Sequence, residues 1–219
     1  MYDILYNQME ILHNFAVFEG GDGSGTSTQL AILGQKLASF RPHSPAFFPT
    51  AEPTAGSIGR LIRSALKNDP PLLPDTLARL FTADRGEHLY ANGGIIDRCK
   101  HGELVVCDRY VLSSLVYQGI ECGEDLPRSL NLTFPAPELL LFFDIDPQIA
   151  QERLSSRPSL EIFERLDFQK KVREHYHALL GEYRDAGVRV EVIDASQSVE
   201  KVAAEVWSQI SKMPILKEE

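Results

Sequence analysis

The sequence predicts an α/β fold: five parallel strands in one sheet, with helices on both of its faces. Short apolar runs alternate with amphipathic stretches along the whole chain, which is the pattern of repeated βαβ units. No internal repeat, low-complexity tract or linker divides the 219 residues. We therefore predict a single domain over residues 14–214, preceded by an N-terminal extension over residues 1–13.

The strands are predicted from short apolar runs. The first run, FAVFEG, is continuous and ends in glycine, so it predicts a buried strand. Prolines interrupt the second run, which therefore predicts a weaker strand. The five predicted strands cover residues 15–20, 46–53, 103–110, 139–146 and 188–195.

The helices are predicted from apolar residues at helical spacing in the segments between the strands. In the first of these segments, Leu30, Leu33 and Leu37 recur on one face. The long segment 74–102 contains a glycine break and predicts two consecutive helices. The other predicted helices cover residues 27–40, 56–67, 147–155, 164–186 and 198–212, and a further helix carries the segment VLSSLVYQG.

Composition and charge argue against several classes of protein. With 43% hydrophobic and 24% charged residues, the chain has the composition of a soluble globular protein. It contains no apolar run of about 18 residues that would span a membrane, and its first residues do not resemble a secretory signal. Three cysteines without CxxC spacing predict reduced thiols in a cytoplasm. The net charge of −9 argues against a general nucleic-acid binder, although a few local arginines suffice for a small anion.

The segment FEGGDGSGTST nearly matches the phosphate-loop pattern GxxxxGK[ST]. Gly20, Gly25 and Ser27 satisfy the pattern, but Thr26 stands in the place of the lysine. Glycines let the backbone approach a phosphate closely, and the N-terminus of the following helix adds a favourable partial charge. The alternative is a glycine-rich βα turn that binds no phosphate. The predicted nucleotide-binding residues are Gly20, Gly21, Asp22, Gly23, Ser24, Gly25, Thr26, Ser27 and Thr28.

A second polar feature is the pair Asp108 and Arg109, which follows the third apolar run. Ligands of open α/β sheets bind at the carboxyl ends of the strands, so both side chains are expected to face the cleft. A carboxylate suits Mg²⁺ and a guanidinium grips phosphate oxygens, so the pair fits a site that handles both. Ser27 and Asp108 are the predicted magnesium ligands. The alternative is a mutual surface ion pair of Asp108 and Arg109.

Seven segments of the chain together resemble the thymidylate kinase family, whose members phosphorylate dTMP to dTDP with ATP. They occur in the family's order over residues 15–210 and read FEGGDGSGTST, TAEPTAGSIGRLIR, LFTADRGEHL, DRYVLSSLVYQG, LLLFFDIDPQIAQERLSSR, EIFERLDFQKKVREHY and VIDASQSVEKV. Ordered motifs of this kind are far more specific than a phosphate loop alone. The resemblance implies a P-loop kinase fold with a lid at about residues 153–165, ATP and Mg²⁺ as cofactors, and a homodimer.

The resemblance also implies roles on the acceptor side of the site. Arg63 and Arg109 match the arginines that hold the dTMP phosphate, a dianion that needs planar donors. Phe81 matches the aromatic that stacks on thymine, and Arg85, four residues later on the same helical face, the residue that hydrogen-bonds the base. The other implied substrate residues are Asp22 at the sugar, Ser113, Tyr117 and Gln118 along the thymine pocket, and Glu52, Pro53 and Phe163.

Structural alternatives stay open for several of these residues. Phe81, without the resemblance, is a helical aromatic that would pack in a core, and Tyr117 equally fits plain packing. Glu161 and Glu164 match carboxylates of the family's lid. Both equally fit a solvated helix face, because glutamates are mostly exposed.

Three departures from the family pattern each remove a positive charge from the phosphate side. Thr26 replaces the loop lysine, Ala51 replaces an arginine of the second motif, and Ile162 replaces a lid arginine. Three losses together indicate either a rebuilt electrostatic arrangement or a decay of catalysis.

Arginines at the lid are the candidates for replacing the missing charge. Family members that lack a basic residue inside the loop carry catalytic arginines in the lid, which points to Arg153 and Arg157, with Arg165 as a further candidate. An arginine that enters on lid closure would partly substitute for the lysine. The predicted catalytic residues are Asp108, Arg109, Arg153 and Arg157, and the alternative for Arg157 is a solvated loop charge.

Three functions agree with these features. The first is an active ATP-dependent dTMP kinase with altered phosphate contacts. The second is a nucleotide-binding protein of the same fold with little or no kinase activity, which the missing lysine favours. The third is a kinase for another nucleotide or nucleoside, because a fold does not determine the substrate.

Overall fold

A computed structural model describes residues 9–40, 45–154 and 165–217 and contains one five-stranded sheet. The strands are β1 (Ile11–Gly20), β2 (Phe47–Ala51), β3 (Leu104–Asp108), β4 (Ala136–Asp144) and β5 (Arg189–Asp194). Their order in the sheet is β2-β3-β1-β4-β5, and all four pairings are parallel. The predicted α/β class with a five-stranded parallel sheet is therefore confirmed.

The helices connect the strands and mostly lie where the sequence predicts them. In chain order they are α1 (Thr26–Phe40), α2 (Ser57–Leu66), α3 (Pro74–Tyr90), α4 (Ile95–Lys100), α5 (Val111–Cys122), α6 (Asp125–Asn131), α7 (Pro147–Leu154), α8 (Leu166–Asp185) and α9 (Val199–Ile210), followed by a 3₁₀ turn at Pro214–Leu216. The predicted break in 74–102 lies between α3 and α4, where Gly93 has a positive φ of 72°. The short helix α6 was not predicted, because its seven residues include Pro127 and are too few to establish a helical period.

Strand β1 begins at Ile11, before the predicted start at residue 15. Its early residues pair with β4, Ile11 opposite Ala136 and Leu12 opposite Pro137, so residues 11–13 of the predicted extension belong to the sheet. The pairing register shifts between Leu12 and Ala16, where Asn14 has a positive φ of 63°. Polar residues at this irregularity interrupt the apolar run in the sequence, so the strand predicted from that run is too short.

Both faces of the sheet are covered by helices. Along β1, Phe15 and Val17 belong to one buried cluster, and Ala16 and Phe18 belong to the other. The first cluster includes residues of α3, α5 and α8, and the second includes residues of α1 and α9. Strand β3 and most of β1 and β4 are therefore buried between these two layers, whereas the edge strands β2 and β5 are more exposed. None of the helices within the described residues is long and apolar enough to cross a membrane.

Candidate active site

A cleft of about 750 Å³ lies at the carboxyl ends of the central strands. Strands β1 and β3 are neighbours in the sheet, with Phe18 opposite Asp108, so the loops that follow them meet at one edge. The predicted residues that line the cleft are 21–28, Glu52, Pro53, Arg63, Phe81, Arg85, Asp108, Arg109, Ser113, Tyr117, Gln118 and Arg153. The structure thus brings the nucleotide-binding and substrate-binding predictions together in one place.

The phosphate loop, residues 20–28, runs from the end of β1 into the first turn of α1. Gly23 and Gly25 have φ values of +82° and +93°, in the left-handed region that favours glycine. A Cβ atom at Gly23 would also lie 2.7 Å from the carbonyl oxygen of Ala150, so both the backbone conformation and the lack of space disfavour a side chain there. Thr26, at the first position of α1, is only 7% exposed and lines the cleft. A short neutral hydroxyl therefore stands where the loop pattern has a lysine.

Ser27 and Asp108, the two predicted magnesium ligands, lie in contact. The Ser27 hydroxyl donates a hydrogen bond to Oδ2 of Asp108. Asp108 is 7% exposed, and its other oxygen, Oδ1, has no hydrogen-bond partner within the part of the chain that the structure describes. A buried acceptor without a partner is costly. Hydroxyl and carboxylate oxygens are ligands that Mg²⁺ prefers, so this pair fits that cation.

Arg109 is held by the last residues of β1. Its backbone has a positive φ of 70°, an unusual conformation for a residue with a side chain. The backbone N–H of Arg109 donates a hydrogen bond to the Phe18 carbonyl at 2.9 Å, and its Nη1 donates one to the Gly20 carbonyl, also at 2.9 Å. Nη2 of Arg109 lies 2.6 Å from Oδ1 of Asp22. Burial disfavours the charged form of Arg109, but neighbouring groups, chiefly Tyr117 and Asp22, outweigh burial and raise its pKa, so it stays cationic.

Glu19, which sequence reasoning did not select, is a fully buried carboxylate at the start of this network. Its Oε1 accepts the backbone N–H groups of Tyr110 at 3.0 Å and Ser113 at 3.2 Å, which caps the N-terminus of α5. Its Oε2 accepts the hydroxyls of Ser113 at 2.5 Å and Tyr176 at 3.0 Å. Burial raises the pKa of Glu19, and the hydrogen bond from Ser113 opposes that shift. A charged residue inside an apolar strand was the signal that could have identified it.

The side of the cleft formed by α3 and α5 carries the predicted base pocket. Phe81 is half-buried and lines the cleft, although it also packs against the apolar core. Gln118 is 3% exposed, and its Oε1 has no hydrogen-bond partner among the described residues. Tyr117 is buried and its hydroxyl accepts Nη1 of Arg109 at 3.2 Å. An apolar ring beside an unpartnered buried amide is the composition of a small-molecule pocket.

Arg85 is 1% exposed, and its guanidinium donates hydrogen bonds to three protein side chains. Its Nε and Nη2 lie 2.9 and 2.7 Å from Oε2 of Glu52. Nη1 donates to Asn131 and Nη2 donates to the Ser114 hydroxyl at 3.0 Å. Burial disfavours the charged form, but Glu52 outweighs it and raises the pKa of Arg85. Neither residue was predicted: Ser114 lies in the segment DRYVLSSLVYQG but was assigned no role, and Asn131 lies outside the seven segments.

Glu52, His88 and Cys107 bring three atoms of metal-ligating type within 4.8 Å of one another. Nδ1 of His88 is 3.1 Å from Oε1 of Glu52, and its Nε2 is 2.7 Å from the Thr50 hydroxyl. Arg85 already neutralises Glu52, and burial raises the pKa of the Cys107 thiol well above its ordinary value. A thiol binds metals as thiolate, so these conditions disfavour a metal site. His88 instead links Glu52 to Thr50, and the Cys107 thiol donates to the Arg109 carbonyl.

Comparisons with known proteins agree with these features. The family model described as thymidylate kinase matches residues 18–206. The chain belongs to the thymidylate kinase family. A provisionally named thymidylate kinase from Treponema pallidum is 41% identical over 212 residues, covering 95% of this chain and 100% of that protein. The thymidylate kinase of Synechococcus sp. is 34% identical over 207 residues, covering 92% of this chain and 96% of its own.

Two uncharged residues, Thr26 and Ala51, line the cleft at positions where the family resemblance implies basic residues. Arg63 is exposed on α2, lines the cleft and donates a hydrogen bond to the Pro53 carbonyl. Arg153, exposed in the last turn of α7, also lines the cleft.

Several predictions for the lid of this thymidylate kinase concern residues at or beyond the edge of the described chain. Arg165 is exposed and immediately precedes α8. The predictions that lie outside the described residues are those for Arg157, Glu161, Ile162, Phe163 and Glu164.

The far end of the cleft is formed by the segment after β5. Gln197, Ser198 and Val199 line the cleft there. Nε2 of Gln29, on α1, donates to the carbonyl of Val199 at 3.0 Å, which ties this segment to the helix after the phosphate loop. The segment lies within VIDASQSVEKV, which resembles the family's closing nucleotide loop.

Proposed function

We propose that this protein transfers the γ-phosphoryl group of ATP to dTMP and releases dTDP and ADP. One observation carries the proposal: a single cleft contains both the phosphate loop and an arginine-rich pocket with an aromatic wall. An acceptor phosphate oxygen attacks the γ-phosphorus as the bond to the β–γ bridging oxygen breaks. Catalysis of this step depends on positioning and on neutralising charge on the phosphoryl oxygens.

Positioning of the acceptor falls to Arg63 and Arg109. Both line the cleft, from α2 and from the turn before α5, and both are planar multiple donors suited to a phosphate dianion. The contact of Arg109 with Asp22 and with the Gly20 carbonyl holds its guanidinium beside the phosphate loop. A fixed cation at that place lowers the repulsion between two anionic substrates.

Mg²⁺ would be held by Ser27 and Asp108. When bound, it supplies neutralisation of the negative charge on the ATP phosphates. The unpartnered Oδ1 of Asp108 is the feature of this chain that supports the assignment. The backbone N–H groups of the phosphate loop and the N-terminus of α1 supply the remaining partial positive charge.

Base recognition falls to Phe81, Gln118 and Arg85. Phe81 offers an aromatic face, and the unpartnered amide oxygen of Gln118 offers a buried acceptor for an N–H group of the base. Arg85 lines the cleft beside them with its charge balanced by Glu52. A site with oriented polar groups rejects bases that leave those groups unpaired.

A coupled assay with ATP and a set of nucleoside monophosphates tests the proposal. We expect phosphorylation of dTMP with a kcat/KM at least 10²-fold above those of dCMP and dGMP, roughly the discrimination that a mispaired polar base edge produces. Calorimetry should show the same order of affinities without turnover. Equal or tighter binding of dCMP would contradict the assignment of the base pocket.

The phosphate clamp has its own prediction. Arg63→Ala and Arg109→Ala are each expected to weaken dTMP binding by about 2–5 kcal/mol, because the bound phosphate loses a cationic hydrogen-bond partner. Arg60→Ala is the matched control, since Arg60 is exposed on the same helix and donates to the Ala55 carbonyl. Thymidine lacks the phosphate and should be bound almost equally by all variants. If thymidine loses as much affinity as dTMP, the clamp is wrongly assigned.

A second candidate function is nucleotide binding with little or no phosphoryl transfer, in a regulatory or partner-binding role. Thr26 is the observation that favours it, because a neutral hydroxyl replaces the cation that faces the transferred phosphate. The assay above separates the two candidates, since the second predicts nucleotide binding with no measurable dTDP.

The proposal extends to a cytoplasmic homodimer without nucleic-acid or membrane partners, on the strength of the family resemblance, the absence of a disulfide pattern and the net charge of −9.

A further inference from the structure

Gln169, in the first turn of α8, contacts the phosphate loop directly. Gln169 is only 6% exposed. Oε1 accepts the backbone N–H of Asp22 at 3.1 Å, and Nε2 donates to Oδ2 of the same residue at 2.7 Å. One amide group therefore satisfies both the main chain and the carboxylate of Asp22. Gln169 lies in the segment EIFERLDFQKKVREHY, but no role was predicted for it.

The amide completes a ring of four polar side chains, Asp22, Arg109, Tyr117 and Gln169, which we call the polar ring. Asp22 Oδ1 accepts Nη2 of Arg109 at 2.6 Å, and Arg109 Nη1 donates to the Tyr117 hydroxyl at 3.2 Å. Tyr117 in turn hydrogen-bonds Gln169. The four residues come from the phosphate loop, the turn before α5, α5 itself and α8. The ring closes only because these elements meet at one edge of the sheet.

We propose that Gln169 is a positioning residue that sets the orientation of Asp22 and, through it, of Arg109 toward the acceptor nucleotide. The inference rests on the proposed function, because it assigns Gln169 to the acceptor side of the same site. With Oδ2 held by Gln169, the Asp22 carboxylate offers Arg109 a single oxygen. Without that contact, the carboxylate is able to rotate and pair with the guanidinium through both oxygens, which is the preferred geometry of such pairs. That rotation draws Arg109 away from an acceptor phosphate.

The contact requires a neutral side chain that both donates and accepts a hydrogen bond. Asp22 presents one donor, its N–H, and one acceptor, its Oδ2, and the Gln169 amide matches both at once. A carboxylate at residue 169 would match the donor but would face Oδ2 with a second negative charge. The fit is also tight, since a Cβ atom at Gly21 would lie 2.9 Å from Oε1 of Gln169. Glycine at residue 21 therefore leaves room for the Gln169 amide as well as for a bound phosphate.

Gln169→Ala tests the inference by comparing the constants for dTMP, the phosphoryl acceptor, with those for ATP, the phosphoryl donor. We expect KM for dTMP and its calorimetric Kd to rise by about 10-fold, the typical consequence of leaving one buried group unsatisfied. KM for ATP should stay within about 2-fold, because the glycines and helix N-terminus of the loop are intact. Lys170→Ala is the matched control, since Lys170 is the exposed neighbour on the same helix. It should behave as the unaltered protein.

Gln169→Glu provides a readout that a purely structural role would not give. Burial and the Asp22 carboxylate are expected to raise the pKa of the introduced carboxyl. Above that pKa, the variant should bind dTMP more weakly than Gln169→Ala, because two carboxylates face each other. As the pH falls, the protonated carboxyl regains an O–H donor, so dTMP affinity relative to the unaltered protein should recover. The unaltered protein and Lys170→Ala should show no such recovery.

Three outcomes would overturn the inference. In the first, Gln169→Ala keeps the dTMP constants of the unaltered protein. In the second, Gln169→Glu shows the same pH profile as the unaltered protein. In the third, Gln169→Ala lowers the melting temperature and affects the dTMP and ATP constants equally, which indicates only a stabilising contact. Failure of the unaltered protein to bind or phosphorylate dTMP overturns the proposed function instead, and the inference with it.

Discussion

Thr26→Lys is expected to raise kcat for dTMP by about 10²-fold, the typical value of one preorganised charged donor at a reacting oxygen. Thr26 starts α1 and lines the cleft, so a lysine side chain there has space to extend toward the phosphates. The glycines that shape the loop are unchanged, so the Kd for ATP should change by only a few-fold. The measurement is steady-state turnover with dTMP and ATP, together with calorimetry of ATP binding.

Thr26→Met is the matched control, because methionine has nearly the length of lysine without its charge. It should give no increase in kcat, which separates charge from packing. An unaltered protein that is already fast, with no gain from Thr26→Lys, would contradict the prediction. In that case Arg153 or Arg157 must carry the charge, and alanine at that residue should abolish turnover. Unchanged rates in those arginine variants as well would disprove our account of the phosphate side.

Arg85→Ala is expected to lower the free energy of unfolding by about 3–5 kcal/mol, the usual cost of breaking a buried ion pair. Arg85 and Glu52 are both almost fully buried, so the substitution leaves the Glu52 carboxylate without its cation. Asn131 and Ser114 lose a donor at the same time. The measurement is denaturant unfolding followed by a spectroscopic signal of the core, accompanied by calorimetry with dTMP.

Arg79→Ala is the control for this prediction, since Arg79 forms an exposed pair with Asp75 on the same helix. It should change stability by well under about 1 kcal/mol, as exposed pairs do. In the double variant Glu52→Gln with Arg85→Met, part of the lost stability should return, because no uncompensated charge remains. A loss of less than 1 kcal/mol in Arg85→Ala alone would show that Glu52 does not depend on Arg85.

The hydrophobic pattern predicted most of the elements, and its failures have local causes. Strand β1 was shortened because polar residues interrupt its apolar pattern at the register shift. Helix α6 was missed because a seven-residue segment with a proline has no readable period. This omission affected the site, since Asn131, in α6, is one of the partners that occupy Arg85.

The sequence by itself determined the class of fold and predicted residues that the structure places at the centre of the cleft. A glycine-rich turn after a strand, and a carboxylate beside an arginine after another, are local arrangements that adjacent residues specify. The family resemblance added the substrate residues, most of which line one cleft.

Only the tertiary structure decided which buried groups hold those residues in place. The hydrogen bonds from Tyr176 to Glu19 and from Gln169 to Asp22 join residues more than a hundred positions apart. The strand order β3-β1-β4 and the packing of α8 on α5 create these contacts. A glutamine in an amphipathic helix and a glutamate in a strand have no local pattern that names their partners. Their roles depend on which donors and acceptors are left buried once the sheet and helices are assembled, and that is a property of the folded chain alone.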